Sequence, residues 1–240
     1  MNAFPFLLLC TVVAGVLSCG KRASAQPSSP RSKAAAARVR PALERDLAKA
    51  GLHFGDPVFI RAFKEEKQLE LFVRNRRTGK FDLFRTYPVA GTSGRLGPKL
   101  REGDGQIPEG FYHVPPSRLN PRSRFHLAFN IGYPNAYDRA RKRTGSLIMI
   151  HGSNVSIGCL AMTDPKIEEI YTLCSAALAK GQPFFRVHIF PFRMTDARMK
   201  QAAGSKWNPF WINLREGYLA FESSRVPPNV TVRKHRYHFN

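Results

Sequence analysis

Cysteine is scarce in this chain, which excludes a small protein held together by a dense disulfide framework. Of the four cysteines in 240 residues, Cys10 and Cys19 lie in an apolar N-terminal segment, so only Cys159 and Cys174 remain for the folded part. Cys174 shares the apolar face of a predicted helix with residues such as Ile170. We therefore expect Cys174 to be a small buried core residue rather than half of a disulfide.

Acidic residues are also few. The chain has 38 Lys and Arg against 17 Asp and Glu, a formal net charge of +21. Such an excess indicates an anionic partner, which could be nucleic acid, a lipid surface or a polyanionic wall polymer.

A run of ~20 apolar residues, long enough to span a bilayer, is missing as well. Residues 4–17 form a shorter apolar run, typical of a signal peptide. We expect residues 1–25 to be this signal peptide; alternatively, a lipoprotein signal ends at residue 18 and Cys19 is lipidated, or the segment is an uncleaved anchor. The prediction is a periplasmic protein with at most peripheral or lipid-anchored membrane association, and no nucleic-acid partner.

The fold class follows from short apolar runs separated by turn residues. Residues 26–40 are predicted to be a flexible tether, and residues 58–84 a meander of antiparallel strands. The glycine-rich segment 91–105 is predicted to be a functional loop, and residues 230–237 a final strand. The predicted helices start at Pro41, Asp164, Thr195 or Asp196, and Asn208. We expect a mainly β sandwich or barrel with peripheral helices, forming one catalytic domain over residues 41–240 with an N-terminal helix and a C-terminal helical extension.

The segment 147–159 is the most informative. It places His151 at the end of an apolar run and Cys159 eight residues later, directly after Gly158. Nucleophilic catalysis by a thiol needs a base within hydrogen-bond reach and a backbone that approaches the reacting carbonyl closely. Glycines at 152 and 158 let the intervening loop turn back, so His151 and Cys159 are a candidate catalytic pair.

These residues, with Ser156 and Met162, resemble the signature of the L,D-transpeptidase (YkuD-like) catalytic-domain family, closest to its YafK-type branch with a shortened motif. The similarity extends over residues 57–237. Further matching motifs follow in the expected order: Gly103-Asp104-Gly105, Pro108 to Tyr112, Ile131 to Asn135, and Phe190 to Thr195.

The resemblance implies a YkuD-like fold and a role for each residue of the motif. Cys159 would be the nucleophile that forms a thioester with peptidoglycan stem peptides, and His151 would be the general base. A main-chain carbonyl of Gly152 or Ser153 would orient His151. Gly158 and the Cys159 amide are the expected oxyanion-hole donors. No metal or cofactor is implied, and the His and Cys spacing does not fit a zinc site.

Other positions leave alternatives open. Ser156 and Ser153 are candidate substrate-binding residues, although Ser156 is equally well a turn residue. Arg143, in the basic run 139–143, could guide anionic stem peptides or belong to a solvated loop. The wider family has a histidine where this chain has Ile157 and an arginine where it has Ala161. Contacts to the anionic groups of the substrate must then come from elsewhere.

Three functions remain. The first is transpeptidation of peptidoglycan stem peptides. The second is hydrolysis at the same site, releasing a cross-link or a murein-linked lipoprotein, as the resemblance to this branch implies. The third is a non-catalytic basic protein that binds the cell wall and would be indifferent to loss of the thiol.

Overall fold

The computed structural model describes residues 26–240. The predictions for the N-terminal leader, including lipidation of Cys19, lie outside this range. Within it, five α-helices and eleven β-strands form open sheets of five, four and two strands.

The first helix, α1 (Pro30–Lys49), begins earlier than predicted. The Ser29 hydroxyl caps it by accepting a hydrogen bond from the Ser32 amide. Pro30 is the first helical residue, where the missing N–H needs no hydrogen-bond partner. The predicted tether over residues 26–40 is therefore wrong from Pro30 onward, as is the predicted helix start at Pro41, which lies inside α1. Residues 34–37 are all alanine, which has the highest helix propensity of all residues, and they lie within α1.

Helix α1 is docked onto the domain along its whole length. It packs against α3 (Asp164–Ala179). Ala35, Leu43 and Leu47 are buried in the main core. The Arg38 guanidinium donates two hydrogen bonds, of 2.9 and 2.7 Å, to the Glu168 carboxylate on α3.

The five-stranded sheet has the order β3-β2-β1-β9-β4. The predicted antiparallel meander over residues 58–84 is confirmed, and β1 also pairs in parallel with β9. Every residue of β1 is buried, because both faces of this central strand are covered. Its strands are β1 (Val58–Phe63), β2 (Gln68–Arg74), β3 (Phe81–Pro88), β4 (Gly110–Val114) and β9 (Phe185–Phe190).

The two faces of this sheet have different cores. Ile60 and Val187 point to an aliphatic core shared with α1 and α3. Phe63 and Phe190 point to an aromatic core that also includes Tyr218 of α5 (Asn208–Ser224). The alternation follows from the two-residue period of a strand.

The four-stranded sheet, with the order β5-β6-β7-β8, carries the candidate catalytic residues. Strands β7 and β8 are parallel, with Ile150 opposite Leu160 and His151 opposite Ala161. Gly91 forms an isolated antiparallel bridge to Ala161 on the other side of β8. The strands are β5 (Leu119–Asn120), β6 (Ala128–Asn130), β7 (Met149–His151) and β8 (Leu160–Ala161).

The C-terminal region is a helical extension followed by a hairpin. Thr195 caps α4 (Asp196–Gln201) through the Arg198 amide, as its sequence position predicts. The predicted single strand over residues 230–237 is instead a hairpin of β10 (Val230–Arg233) and β11 (Arg236–Phe239). Lys234 and His235, both with positive φ, form its turn. The remaining helix is α2 (Ala136–Ala140).

The prediction of a mainly β protein needs correction. The five helices hold more residues than the eleven strands, and each sheet of the described region is open rather than closed into a barrel. The strands of the four-stranded sheet have only two or three residues each, and α1 is about twice as long as predicted, so the protein combines mixed sheets with several helices. In residues 26–240, no helix is long and apolar enough to cross a membrane.

The docked α1 helix gives a stability test with a matched control. Ala35 is fully buried, whereas Ala34, one residue earlier, is exposed. We expect Ala35→Glu to lower the free energy of unfolding by about 3 kcal/mol or more, because it buries an unpaired carboxylate. Ala34→Glu should change it by about 0.5 kcal/mol or less. Urea denaturation measures both, and equal effects would mean that residues 30–40 do not pack on the domain.

Candidate active site

The parallel pairing of β7 with β8 brings Cys159 beside β7. Because Ile150 lies opposite Leu160, the residues preceding them, Met149 and Cys159, are also neighbours. The Met149 amide donates to Cys159 Sγ at 3.3 Å, and the thiol donates to the Leu147 carbonyl at 3.7 Å. The half-buried thiol is therefore held by the backbone of the segment that leads to His151.

The His151 side chain is almost completely buried and held in one orientation. Its Nδ1 lies 2.6 Å from the Gly152 carbonyl, and the Phe125 ring lies against the imidazole at 4.7 Å between centroids. A carbonyl can only accept, so Nδ1 carries the proton of the neutral ring and Nε2 is left as the basic nitrogen. Of the two carbonyls considered from the sequence, Gly152 is the one that contacts the ring.

Burial disfavours the charged form of both side chains. Burial lowers the pKa of His151, opposed by the Gly152 carbonyl. Burial raises the pKa of Cys159, partly offset by the Met149 amide and the positive charge of Lys99. Burial therefore outweighs the nearby cation and the backbone amide, and the pKa of Cys159 lies above its ordinary value. In this structure the hydrogen-bond partners of the two side chains are backbone groups, and no hydrogen bond joins Cys159 to His151.

The loop after His151 is clamped to the start of α3. The Ser153 amide donates to Asp164 Oδ1 at 2.7 Å, and the Thr163 amide donates to the Ser153 carbonyl at 2.7 Å. Only glycine fits at position 152, because a Cβ there would lie 2.4 Å from Asp164 Oδ1 and 2.8 Å from the Phe125 carbonyl. Asp164, predicted as the N-cap, instead holds this loop, while Thr163 occupies the cap position without a side-chain capping bond.

The predicted oxyanion-hole donors are already occupied. The Gly158 amide donates to Ser93 Oγ at 2.7 Å, and the Cys159 amide donates to Ser156 Oγ at 2.9 Å. The Ser156 hydroxyl in turn donates to the Cys159 carbonyl at 2.6 Å. Both amides therefore have hydrogen-bond partners in this state of the molecule, and Ser156 acts as a local brace.

The sequence predicts the loop that carries Ser93 but not the contact that Ser93 makes. The glycine-rich segment 91–105 was expected to be functional, but nothing in its sequence singles out Ser93. Gly91 lies so close to the catalytic loop that a Cβ on it would be 2.3 Å from the Asn154 carbonyl oxygen. The segment is thus one wall of the site.

A buried ion pair holds this wall in place. Lys64 Nζ contacts Glu109 Oε1 at 3.0 Å and donates to the carbonyls of Gly97 and Ile107. The Gly97 amide and the Trp211 indole donate to the two oxygens of the Glu109 carboxylate. Because every partner is satisfied, the pair orders the loop despite its burial.

A second ion pair anchors the far end of the wall. Lys99 Nζ contacts Asp104 Oδ1 at 2.7 Å. Burial raises the pKa of Asp104, but hydrogen bonds from Lys99 and three backbone amides outweigh it and lower this pKa to about 2. The predicted motif residue Asp104 is therefore a structural anchor.

An open groove of about 630 Å³ runs beside this wall. Arg95, Arg101 and Lys206 supply its positive charge, and Trp207 lines one side. The groove adjoins the catalytic loop through Gln106, whose carbonyl oxygen lies 3.3 Å from where a Cβ on Gly158 would be.

Two other predicted residues have structural positions. Arg143 is buried and bonded to Asp138 at 2.9 Å, with its guanidinium over Tyr137 and Phe210, so the alternative of a solvated loop residue is wrong and its charge is engaged in an internal ion pair. A charged residue is held there as an ion pair rather than presented to solvent. Cys174 is fully buried in α3, as predicted. Within residues 26–240, no cluster of three His, Cys, Asp or Glu side chains is arranged to hold a metal ion.

Comparison with known proteins places this arrangement in a family context. Residues 57–189 match the family model YkuD, described as an L,D-transpeptidase catalytic domain. The chain is 49% identical over 183 residues to the protein of Escherichia coli (strain K12) named "Putative L,D-transpeptidase YafK", covering 76% of this chain and 74% of that protein. The corresponding protein of Escherichia coli O157:H7 matches to the same extent.

Solved structures show more distant similarity. The helical cell shape determining protein Pgp2 (K307A mutant) from Campylobacter jejuni aligns with a TM-score of 0.46 and 20% identity, over 79% of this chain and 63% of that one. Bd1075 from Bdellovibrio bacteriovorus aligns with a TM-score of 0.40 and 20% identity, over 70% of this chain and 58% of that one.

The raised pKa of Cys159 predicts how its thiol reacts with iodoacetamide. Only the thiolate is nucleophilic, so the raised pKa of Cys159 should make alkylation slow at neutral pH, with a midpoint above the ordinary thiol value. The peptide carrying Cys159 should be labelled in the native protein, and that carrying Cys174 only after denaturation. Mass spectrometry of peptides labelled at successive pH values measures this. Fast labelling that is constant between about pH 6 and pH 8 would instead reveal a preformed thiolate–imidazolium pair.

Proposed function

The chain belongs to the YkuD family of L,D-transpeptidase catalytic domains, and from this premise we propose that it is an exported cysteine acyltransferase acting on peptidoglycan stem peptides. The observation that carries the proposal is the β7–β8 pairing. It supports a nucleophilic role for Cys159 beside an imidazole whose Nδ1 is fixed on the Gly152 carbonyl.

The reaction begins with attack by Cys159 Sγ on a stem-peptide carbonyl between an L- and a D-configured centre. The thiol proton passes to His151 Nε2, and then to the departing amine as the carbon–nitrogen bond breaks. The product is a thioester on Cys159. An incoming amine resolves it by transpeptidation, with its proton returning through His151, or water resolves it by hydrolysis.

The developing oxyanion needs donors that are free when the substrate is bound. We assign this role to the Gly158 amide, with the substrate oxygen replacing the Ser93 hydroxyl that occupies it at rest. Ser156 keeps the Cys159 backbone in position through its two hydrogen bonds. The backbone of Ser153 serves the turn rather than the substrate.

Substrate carboxylates would bind in the groove beside residues 91–106. Ala161 is fully buried, and its backbone is bonded to that of Gly91, so no side chain at that position reaches substrate. Arg95 and Arg101 are exposed at the groove and supply the missing cations. We assign the contacts to substrate carboxylates to this groove rather than to the basic run 139–143, because Arg143 is paired with Asp138.

Hydrolysis is the second candidate, and the surface of the catalytic loop favours it. Ile157 is 85% exposed, and Val155 and Leu147 are also exposed, so an apolar rim surrounds the nucleophile. Such a rim offers few hydrogen bonds to hold a polar amine acceptor, whereas water needs no such site. Release of a cross-link or of a murein-linked lipoprotein would then be the net reaction.

The thiol distinguishes an enzyme from a wall-binding protein. Cys159→Ser should reduce turnover of defined muropeptides by about 10⁴-fold or more, because the nucleophile is lost. Cys174→Ala, the matched change in the core, should leave most activity. Product analysis by mass spectrometry measures both, with circular dichroism to verify folding. Unchanged turnover in Cys159→Ser would sink the acyltransferase proposal, and equal loss in both variants would point to a packing effect.

The direction of reaction can be tested with two mixtures. In the first, purified protein receives a cross-linked or protein-linked muropeptide; in the second, it receives a donor muropeptide with a free amine acceptor. The exposed apolar rim leads us to expect cleavage in the first mixture and little acceptor product in the second. Product in the second mixture alone would contradict the hydrolase candidate and identify an ordinary transpeptidase.

A further inference from the structure

A second cavity, separate from the catalytic loop, opens at the edge of the five-stranded sheet. It lies between β4, β9 and the β10–β11 hairpin, has a volume of about 330 Å³, and shares no lining residue with the segment 147–159. Phe184, Val230 and Val232 give it apolar walls.

Three arginines converge on this cavity without an acidic partner. Arg118, Arg139 and Arg186 all line it, and no Asp or Glu does. Elsewhere in the described chain, most buried or half-buried guanidinium groups contact a carboxylate, as Arg61 contacts Glu70. The three cavity arginines donate only to neutral oxygens: those of the His113 carbonyl, the Pro134 carbonyl and the Asn229 side chain, respectively.

Arg186 is the most strongly placed of the three. It is half-buried, and burial lowers the pKa of its guanidinium. Arg118 raises the positive potential further. Burial is the largest cause of the lowered pKa of the neighbouring His113, and the charges of Arg118 and Arg186 lower it further. Unpaired cations that are partly removed from water repel one another, and a bound anion would relieve this repulsion.

The inner wall contains a buried polar group without a partner. His188 is 1% exposed, lines the cavity, and has no hydrogen-bond partner at either ring nitrogen. Its ring is held edge-on by Phe59 and Phe111, each with a centroid separation of 4.7 Å. The ring nitrogens have almost no accessible surface, so a ligand in the cavity would lie close to the imidazole without bonding to it.

We propose that this cavity is a binding site for a small organic anion, a molecule or group that carries a carboxylate or phosphate on a short apolar body. Arg118 and Arg186 would contact its oxygens, and Arg139 would contribute charge at the rim. The apolar walls would cover the hydrocarbon part. The site does not depend on the acyltransferase proposal, because its residues take no part in that chemistry.

The test uses the full chain with inorganic phosphate and succinate as separate probes, at constant ionic strength set with chloride. Binding is followed by the chemical shifts of ¹³C-labelled histidine rings, which report on His188 and His113, and by calorimetry. We expect at least one of the two probes to bind saturably, with one anion per chain. The probe that binds more tightly distinguishes a phosphate site from a carboxylate site.

Variants locate the anion. Arg186→Gln and Arg118→Gln should each weaken binding by about tenfold or more, because each removes a charge-assisted hydrogen bond. Arg233→Gln removes the same charge from an exposed position on β10 and should leave the affinity unchanged. Two variants are used so that misfolding of one, detected by circular dichroism, leaves the other to decide.

Three outcomes would overturn the proposal. The first is equal weakening of binding in Arg233→Gln, and the second is chemical-shift changes that follow ionic strength rather than either probe. The third is that neither probe binds at concentrations up to about 10 mM, since a specific site would bind more tightly than that. Cys159→Ser should bind as the unchanged protein does. Weaker binding in that variant would place the anion at the catalytic loop instead.

Discussion

The parallel pairing of β7 with β8 is the constraint on which the site depends. Two strands joined by only eight residues cannot normally lie parallel, because a parallel connection has to return to its starting end. Here the strands have only three and two residues, so a short loop suffices. Gly152 allows the close turn, Asp164 holds it from α3, and Gly91 pairs with the outer edge of β8. The chain thereby places Cys159 beside Met149, two residues before His151 on the neighbouring strand.

The wall opposite this loop shows how buried charge can order a glycine-rich segment. Lys64 and Glu109 are both buried, and their pairing is favourable only because four further hydrogen-bonding groups complete the network. Ser93, which this wall carries, reaches the Gly158 amide. The backbone beside Cys159 is therefore held from the side of this wall as well as from α3.

The positive charge of the chain serves more than one purpose. Arg61 lies between carboxylates and aromatic rings in the interior, and Arg143 pairs with Asp138 under Tyr137. Such arginines stabilise the fold and are not available to a polyanion. Of the remaining cations, three line the groove beside residues 91–106, three line the cavity around Arg186, and others are spread over the surface. A net charge of +21 thus overstates the charge presented to any single partner.

Local patterns in the sequence determined a good part of this protein. The β1–β3 meander, the burial of Cys174, the helix that follows Thr195 and the family of the chain could all be predicted, because they depend on short-range periodicity, capping and ordered motifs. The docking of α1, the occupied amides at Gly158 and Cys159, the internal pairing of Arg143 and the raised pKa of Cys159 could not. Each depends on groups far apart in the chain, such as Ser93 beside Gly158. Burial, hydrogen-bond partners and local potential are set by the neighbours that the tertiary structure supplies, and only that structure decided them.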